Sequence, residues 1–389
     1  MKKAIFASAH AYDSPFKLGD HHYAKLLSQK GYEILWLDMP TSYIYYFKDK
    51  ENYYKDYDLS KSSPRKVDDN IYEYCPYTYL PYIRIKPLDS IFVGKNSLQL
   101  CNRNLKKFFD RAGYGECDLL WISNPKYTYL DKFVQSKCII HRMGDDFSKF
   151  DGLPSSFMDL ELRLIEKSNI YYVTAKSLMD KYSQIKKPKY LSNGCDYKHF
   201  QKNSYDFPME YIKYETMKKV LYVGAIDSWF DLELLKYSVE ENEEVQFFII
   251  GPNRISLDVL KHYKNVHILG KRNYKDIPNY MYYSDLGIIP FKINDLTMSV
   301  NPIKLFEYSA CGVPTIVTDM QEVSFTLENL RNMPIYIAKD KIEFSNYIKS
   351  INKTDEDSRI LKQFAEENSW DKRIEMVCSD IASYKNGDE

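Results

Sequence analysis

Short apolar runs alternate along this chain with polar segments of helix length, and that alternation restricts the possible folds more than any other feature. KAIFAS (3–8), YEILWLD (32–38), DLLWIS (118–123), KCIIHRM (137–143), NIYYVTA (169–175) and KYLSNG (189–194) read as the strands of a first series. KVLYVGAI (219–226), VQFFIIG (245–251), NVHILG (265–270), LGIIPF (286–291) and PTIVT (314–318) make a second. Runs this apolar are buried on both faces, and strands joined through helices run parallel. The spacing predicts helices near 19–30, 155–168, 176–184 and 302–311, hence an α/β protein with two doubly wound parallel sheets and a cleft between them. Ligands of such sheets bind at the carboxyl ends of the strands. The loop HAYDSPFKLGDHH (10–22) lies on that edge.

A chain of 389 residues is too long for one hydrophobic core. The polar stretch 201–217 reads as a linker between a first domain, 1–200, and a second, 218–365. Residues 366–389 hold an amphipathic helix around Trp370 that bridges back to the first domain. A net charge of zero removes any global footprint for nucleic acid. Seven cysteines, odd in number and never spaced C-x-x-C, indicate neither a disulfide framework nor a zinc site, so no metal is expected and a reducing cytoplasm fits. The N-terminal apolar run is broken by His10 and Asp13 and reads as a strand, not a signal peptide. No window approaches 18 uninterrupted apolar residues, so any membrane contact is peripheral.

Tyrosine is abundant, 36 residues, many beside lysine. Codon bias in an AT-rich genome accounts for the larger share; the remainder suits a lipid headgroup surface. Residues 40–70 have weak periodicity and read as a loop or insertion. Within them Asp56-Tyr57-Asp58 matches the D-x-D pattern that holds a metal and a nucleotide diphosphate in one class of sugar transferase, but it follows no apolar strand and reads as a solvated loop. SLQLCNRNLKKFFDRAG (97–113) reads as a helix mixing Leu98, Leu100, Leu105, Phe108 and Phe109 with Arg103, Lys106, Lys107 and Arg111. It is either a solvated basic face or, with 79–95, a membrane-facing patch.

NPIKLFEYSACGVPTIV (301–317) is a short helix followed by a buried strand. Asn301 suits the N-cap, Pro302 the first helical position, and Gly312 the position past the end. Lys304 and Glu307 share a face. A cation in the first turn opposes the helix dipole unless an anion binds there, where free N–H groups and Lys304 would converge on a phosphate. Glu307 could then accept from two ribose hydroxyls. The alternative is an ordinary surface ion pair worth about 0.2–0.5 kcal/mol.

The order VLYVGAI, FFIIGP, NVHILGKRNYKDIPNYM, DLGIIPF, NPIKLFEYSACGVPTIV, with SNGCDYKHF before it and NSWDKR after it, resembles the GT-B glycosyltransferases, the large bacterial family of sugar-nucleotide-dependent enzymes with two Rossmann-like domains. The likeness is good over 141–200 and 219–318, fair over 1–38, and absent over 40–115. It implies a donor held by the second domain and an acceptor held by the first. Carried over, Lys304 looks like the phosphate ligand, Glu307 the ribose ligand, Gly224 the glycine that lets backbone approach the donor, and Arg272 and Asn273 residues lining the base. Asn301, Ile303 and Phe291 fall on the donor side. Retaining members carry a second glutamate where this chain has Ser299, counted here among the donor positions. An Asp pair after the strand 137–143 with a later Pro-x-Lys-x-x-Glu is similar to the xanthan-type glucuronosyltransferases, which are inverting.

That resemblance implies an inverting, metal-independent transferase without a cofactor, moving a sugar such as glucuronate from a UDP-sugar to a lipid-linked or polysaccharide acceptor in bacterial surface-glycan synthesis. Inversion needs a general base, and Asp145 and Asp146 are placed for it, one catalysing and one structural. His21, Lys17 and Gly19 fall on the acceptor side; His141 reads as a core or hinge histidine. A cytoplasmic protein touching the inner membrane through its first domain is expected, with no nucleic-acid partner. The alternatives are a retaining hexosyltransferase of the same fold and a non-catalytic nucleotide-sugar-binding protein. An oxidoreductase is disfavoured, since no G-x-G-x-x-G follows either first strand.

Overall fold

The computed structural model describes residues 1–14 and 17–387, so Pro15 and Phe16 of the 10–22 loop, and the last two residues of the terminal segment, lie outside the described residues. Two compact units are present: Met1–Leu191 with Ile374–Glu389, and Ser192–Arg373.

The first unit begins β1 (Lys2–Ala7), α1 (Gly19–Gln29), β2 (Tyr32–Leu37), α2 (Tyr45–Lys48), α3 (Lys50–Lys61), β3 (Arg65–Asp68) and β4 (Ile71–Tyr74). It continues α4 (Ile91–Asn96), α5 (Leu105–Ala112), β5 (Glu116–Cys117), β6 (Leu119–Ile122), β7 (Gln135–Ser136), β8 (Ile139–Met143), α6 (Phe157–Lys167), β9 (Ile170–Val173) and β10 (Lys189–Tyr190). The sheet order is β10-β9-β8-β6-β1-β2-β4-β3, with only β3 antiparallel. Because β2 and β6 flank β1, the order reverses there, and the crevice beyond Ala7 and Ile122 is a switch point. Alternate residues bury opposite faces: Ile5, Leu35 and Leu120 pack with Leu105 and Phe109 of α5, while Phe6 stacks between Trp36 and Trp121 at 6.0 and 5.2 Å.

Several expectations are corrected. Residues 40–70 are mostly ordered, because α3 is capped by Asp49, which accepts from Asn52 N at 3.1 Å, and Tyr53 and Tyr57 pack on Tyr77. The face is aromatic, which a search for aliphatic periodicity misses. The helix expected over 97–113 is broken into a tight 3-10 turn, Ser97–Leu100, and α5, since Cys101 bridges Thr78 and Asn104 caps α5 by accepting from Lys107 N at 3.0 Å. Leu98, Leu105, Phe108 and Phe109 are core residues and face no membrane. The helix expected near 176–184 is one tight turn, Lys176–Leu178.

The second unit runs α7 (Tyr197–Phe200), β11 (Lys219–Val223), α8 (Leu232–Glu241), β12 (Gln246–Ile250), β13 (Val266–Gly270), α9 (Ile277–Tyr282) and β14 (Leu286–Ile289). After these come α10 (Ile303–Ala310), β15 (Thr315–Thr318), α11 (Gln321–Leu327), β16 (Ile335–Ala338), α12 (Lys341–Ser350), α13 (Asp355–Glu367) and the start of α14 (Trp370–Asn386). All strands are parallel in the order β13-β12-β11-β14-β15-β16, with the switch point between β11 and β14. Leu221, Val223 and Phe248 pack against Leu305 and Phe306 of α10 and Leu361 of α13 on one face. Val220, Phe247 and Ile249 pack against Leu235 and Phe344 on the other. Each large apolar side chain so buried contributes about 1.5–3 kcal/mol.

Residues 201–217 do not form a free linker. Phe207, Tyr211 and Tyr214, at helical spacing, pack on this core, and Tyr211 is fully buried with its hydroxyl 3.0 Å from Ser284 Oγ. From Ile374 onward α14 belongs to the first unit, where Asp380 accepts from Tyr172 Oη at 2.6 Å and pairs with Lys189 at 3.1 Å. Among the described residues no helix is long and apolar enough to cross a membrane.

Candidate functional site

In the second unit, α10 is fixed by its own Tyr308. The buried Tyr308 hydroxyl donates to Leu221 O at 2.8 Å and accepts from Val223 N at 3.0 Å, and its ring lies where a Cβ on Gly287 would come within 2.7 Å. The helix is thereby held at the β11/β14 switch point. Lys304 and Glu307 form an ion pair in which the Lys304 side chain is 30% exposed and that of Glu307 only 6%. The pair is therefore half inside the protein, unlike a surface pair.

Asn301 is not the cap. The helix starts at Ile303 with Pro302 in the cap position, and no side chain closes the first turn. Asn301 instead donates from Nδ2 to Glu322 Oε1 at 3.5 Å, its carbonyl accepts from Asn193 Nδ2 at 2.8 Å, and its buried Oδ1 has no partner. Open N–H groups at a helix start favour an anion. Ile303 is half-buried beside them.

Beyond the strands, Gly224 N donates to Ile250 O and Gly251 N to Gly270 O, both at 3.0 Å. A Cβ on Gly251, whose φ is +147°, would sit 1.8 Å from Gly224 O, whereas one on Gly224 would meet only the end of Tyr222 at 2.8 Å. Gly251 is thus a position where the chain's own backbone leaves no room for a side chain, which sequence reasoning missed although FFIIGP holds it. Phe291 is half-buried, and its carbonyl accepts from Thr318 Oγ1 at 2.8 Å. Ser299 is buried and bonds to its own turn, Oγ to Leu296 O at 3.1 Å.

Arg272 is engaged inside the unit: its guanidinium donates to Glu210 Oε1 at 2.8 Å, to Tyr280 Oη at 3.2 Å and to the Leu269 carbonyl. It therefore ties the 201–217 segment to α9. Asn273 is exposed next to Tyr274, whose ring stacks 4.2 Å from that of His199. A cavity of about 430 Å³ in this unit is lined by Asp231, Lys236, Phe291, Thr318, Asp319 and Asp340 among others; neither Lys304 nor Glu307 lines it.

In the first unit the carboxyl edge is built from side chains. Asp20, in the first turn of α1, accepts from Ser8 Oγ at 3.1 Å, Ser123 Oγ at 2.9 Å and Trp121 Nε1 at 3.2 Å, joining both flanks of the switch point. Arg142, buried at the end of β8, lies 5.3 Å over the Tyr23 ring and so close to Gly19 that a Cβ there would be 3.0 Å from Nη1. Arg142 also acts on Asp145. One guanidinium thus brings together Gly19 and Asp145, expected for acceptor and catalysis respectively.

The two adjacent aspartates diverge. Burial raises the half-buried Asp145 carboxyl above the ordinary range, with Arg142 opposing and Asp146 adding to the rise. Burial acts the same way on Asp146, but Lys181 and Ser148 outweigh it and hold that carboxyl low. Asp146 pairs with Lys181, accepts from Ser148 N at 3.1 Å and starts the turn Phe147–Lys149. Lys181 carried no signal in the sequence.

His21 is fully engaged: Nδ1 accepts from Leu18 N and Nε2 donates to Ala11 O, both at 3.1 Å, and the ring packs 4.6 Å from Trp36. Burial drives its pKa down to about 4. It braces the loop and has no ring nitrogen left for an acceptor. Lys17 donates to the Tyr12 carbonyl, its ammonium 4.8 Å from that ring. His141 is buried, donating from Nδ1 to Ile122 O at 2.8 Å with Nε2 3.8 Å from Glu161.

Residues 206–368 match the family described as Glycosyl transferases group 1. The putative teichuronic acid biosynthesis glycosyltransferase TuaH of Bacillus subtilis (strain 168) is 25% identical over 228 residues, 54% of this chain and 57% of that protein. The chain thus aligns with little more than half the length of this curated relative. Among solved structures, sucrose-phosphate synthase of Thermosynechococcus elongatus superposes with a TM-score of 0.69 at 12% identity, covering 100% of both chains. Anabaena HepE in complex with UDP-glucose gives 0.65 at 14%, covering 98% of this chain and 100% of the other. The chain therefore has the GT-B fold, two units of parallel-sheet α/β structure, and its residues 206–368 are similar to the group 1 glycosyl transferases.

Proposed function

We propose that this chain is a nucleotide-sugar-dependent glycosyltransferase that takes a UDP-sugar on the second unit and an acceptor on the first. The observation that carries the reading is Lys304, in the uncapped first turn of α10 and paired with buried Glu307, inside the segment that matches the group 1 transferases. In this reading the diphosphate takes the helix N-terminus and Lys304, and Glu307 accepts from the ribose hydroxyls. The HepE complexes with UDP and UDP-glucose support the choice of nucleotide.

Transfer is inverting and metal-independent in this proposal. Asp145 takes the proton of the acceptor hydroxyl as its oxygen attacks the anomeric carbon, and the UDP leaves with its charge met by Lys304 and backbone N–H groups. Asp145 has the raised carboxyl a base needs, while Asp146 is committed to Lys181. Glucuronate as the transferred sugar, and a lipid-linked or polysaccharide acceptor, follow from the resemblance to xanthan-type enzymes; the relative named for teichuronic acid biosynthesis supports surface-polysaccharide synthesis. Peripheral membrane contact through the first unit rests on Tyr79, Ile85, Phe92 and Leu100, each more than half exposed.

Titration calorimetry with UDP tests the donor site. Lys304→Ala is expected to weaken UDP at least about tenfold, the loss of one charge-assisted contact of roughly 1.5 kcal/mol. Unchanged affinity would remove Lys304 from the donor site. NMR of the product anomer then separates inversion from retention.

A further inference from the structure

We propose that Asp38, Asp56 and Cys75 form a binding site for one divalent transition cation of the zinc class at the carboxyl edge of the first unit's sheet. One ligand atom from each of the three lies within 4.8 Å of the others. The convergence is a consequence of register. Leu37 of β2 pairs with Tyr74 of β4, so Asp38 and Cys75 are the next residues on adjacent parallel strands, held together by Asp38 N donating to Tyr74 O at 3.0 Å. Asp56 is supplied by α3, half-buried over the same edge.

A second observation points to a missing partner. Asp38 is only 5% exposed, yet its Oδ1 has no hydrogen-bond donor. On the turn that follows, Thr41 and Ser42 are 2% and 0% exposed, and neither hydroxyl has a partner. The Thr41 backbone N–H approaches the Cys75 sulfur, which puts this turn at the cluster. The nearby cations are committed elsewhere: Lys55 and Arg65 both pair with Asp13, and Arg65 also pairs with Glu73. Glu73 is further satisfied by Tyr12 N at 2.9 Å. Asp38 is thus buried beside a third carboxyl, Glu73, and the half-buried Asp56, with Lys55 the cation that acts on Asp56 while paired with Asp13, and with an unpartnered polar turn, an arrangement that is expensive unless something fills it.

The donor set selects the class. A thiolate with two carboxylates suits zinc or cobalt, whereas magnesium and calcium take oxygen ligands in larger number. On binding, the Cys75 thiol releases its proton to solvent as the sulfur–metal bond forms, and three anionic donors meet two positive charges. Three protein donors leave one tetrahedral position for water or a hydroxyl. Of the D-x-D triplet on α3, only Asp56 takes part; Asp58 is exposed. The site belongs to the first unit and does not rest on the transfer reading.

The test titrates the full-length chain, stripped with EDTA, with Co²⁺ as the spectroscopic probe. One equivalent should produce a thiolate-to-cobalt band in the near ultraviolet, displaced by Zn²⁺ and unaffected by millimolar Mg²⁺. Cys75→Ser should abolish the band. Asp56→Asn, a half-exposed change that leaves the fold intact by circular dichroism, should weaken binding at least about tenfold, and Asp58→Asn should leave it unchanged. No band, a band that survives in Cys75→Ser, displacement by Mg²⁺, or equal affinity in the Asp56 and Asp58 variants would each overturn the proposal.

Discussion

The carboxyl edge of the second sheet is built mostly from backbone: the glycine turns at 224, 251 and 270, the open first turn of α10, and one ion pair, Lys304 with Glu307. The same edge of the first sheet is built from side chains, with Asp20, His21, Arg142, Asp145 and Asp146 buried or half-buried there. The contrast fits different tasks. Oriented N–H groups suit a phosphate whose charge is fixed, whereas a group that must gain or lose a proton needs an environment that moves its pKa.

The contrast breaks first at the aspartates. Under the proposed mechanism Asp145→Asn removes the base and should lower kcat about 10²–10⁴-fold while UDP affinity is unchanged. Asp146→Asn should act mainly by loosening the Lys181 pair, with the smaller loss of turnover and a lowered unfolding midpoint. Steady-state kinetics beside UDP calorimetry separates the two. If Asp146→Asn were the more damaging to kcat at full folding, the assignment would be reversed.

A second prediction sharpens the backbone side. Gly251→Ala should destabilise the second unit by about 3 kcal/mol or more, because the added Cβ meets Gly224 O at 1.8 Å in a left-handed conformation. Gly224→Ala meets only a tyrosine side-chain end and should be the milder variant in denaturant unfolding. The reverse ranking would show that Gly224 is the constrained position after all.

This difference in construction also explains what could be read from the sequence. The second unit's strands, α10 and the Lys304–Glu307 spacing are local patterns, and they stand where the periodicity put them. The capping of α10 was misread because Asn301 turns to Glu322, a partner 21 residues away. The tie of Arg272 to Glu210 is equally invisible to local pattern, the two being 62 positions apart. In the first unit nearly every site contact is long-range: Asp20 with Trp121, Asp146 with Lys181, Tyr12 with Glu73. No spacing rule carries such pairings, so the sequence does not say which of Asp145 and Asp146 is tied to a lysine.

The smallest predicted effect lies with His21, which the structure makes a brace of the first unit's edge. Burial drives its folded-state pKa down to about 4, against about 6.5 for an ordinary histidine. Between those values the unfolded chain binds the proton and the folded one does not, so stability falls as the pH drops from 6.5 towards 4. At pH 5 the loss from this residue is about 2 kcal/mol relative to pH 7. His21→Gln should remove that increment: the variant, less stable than the parent at pH 7 because the Leu18 and Ala11 contacts are disturbed, should draw level with it near pH 5. Urea unfolding of both proteins at the two pH values measures the difference directly. A gap that stays constant would mean that His21 titrates normally and is open to solvent or ligand, returning it to the acceptor side.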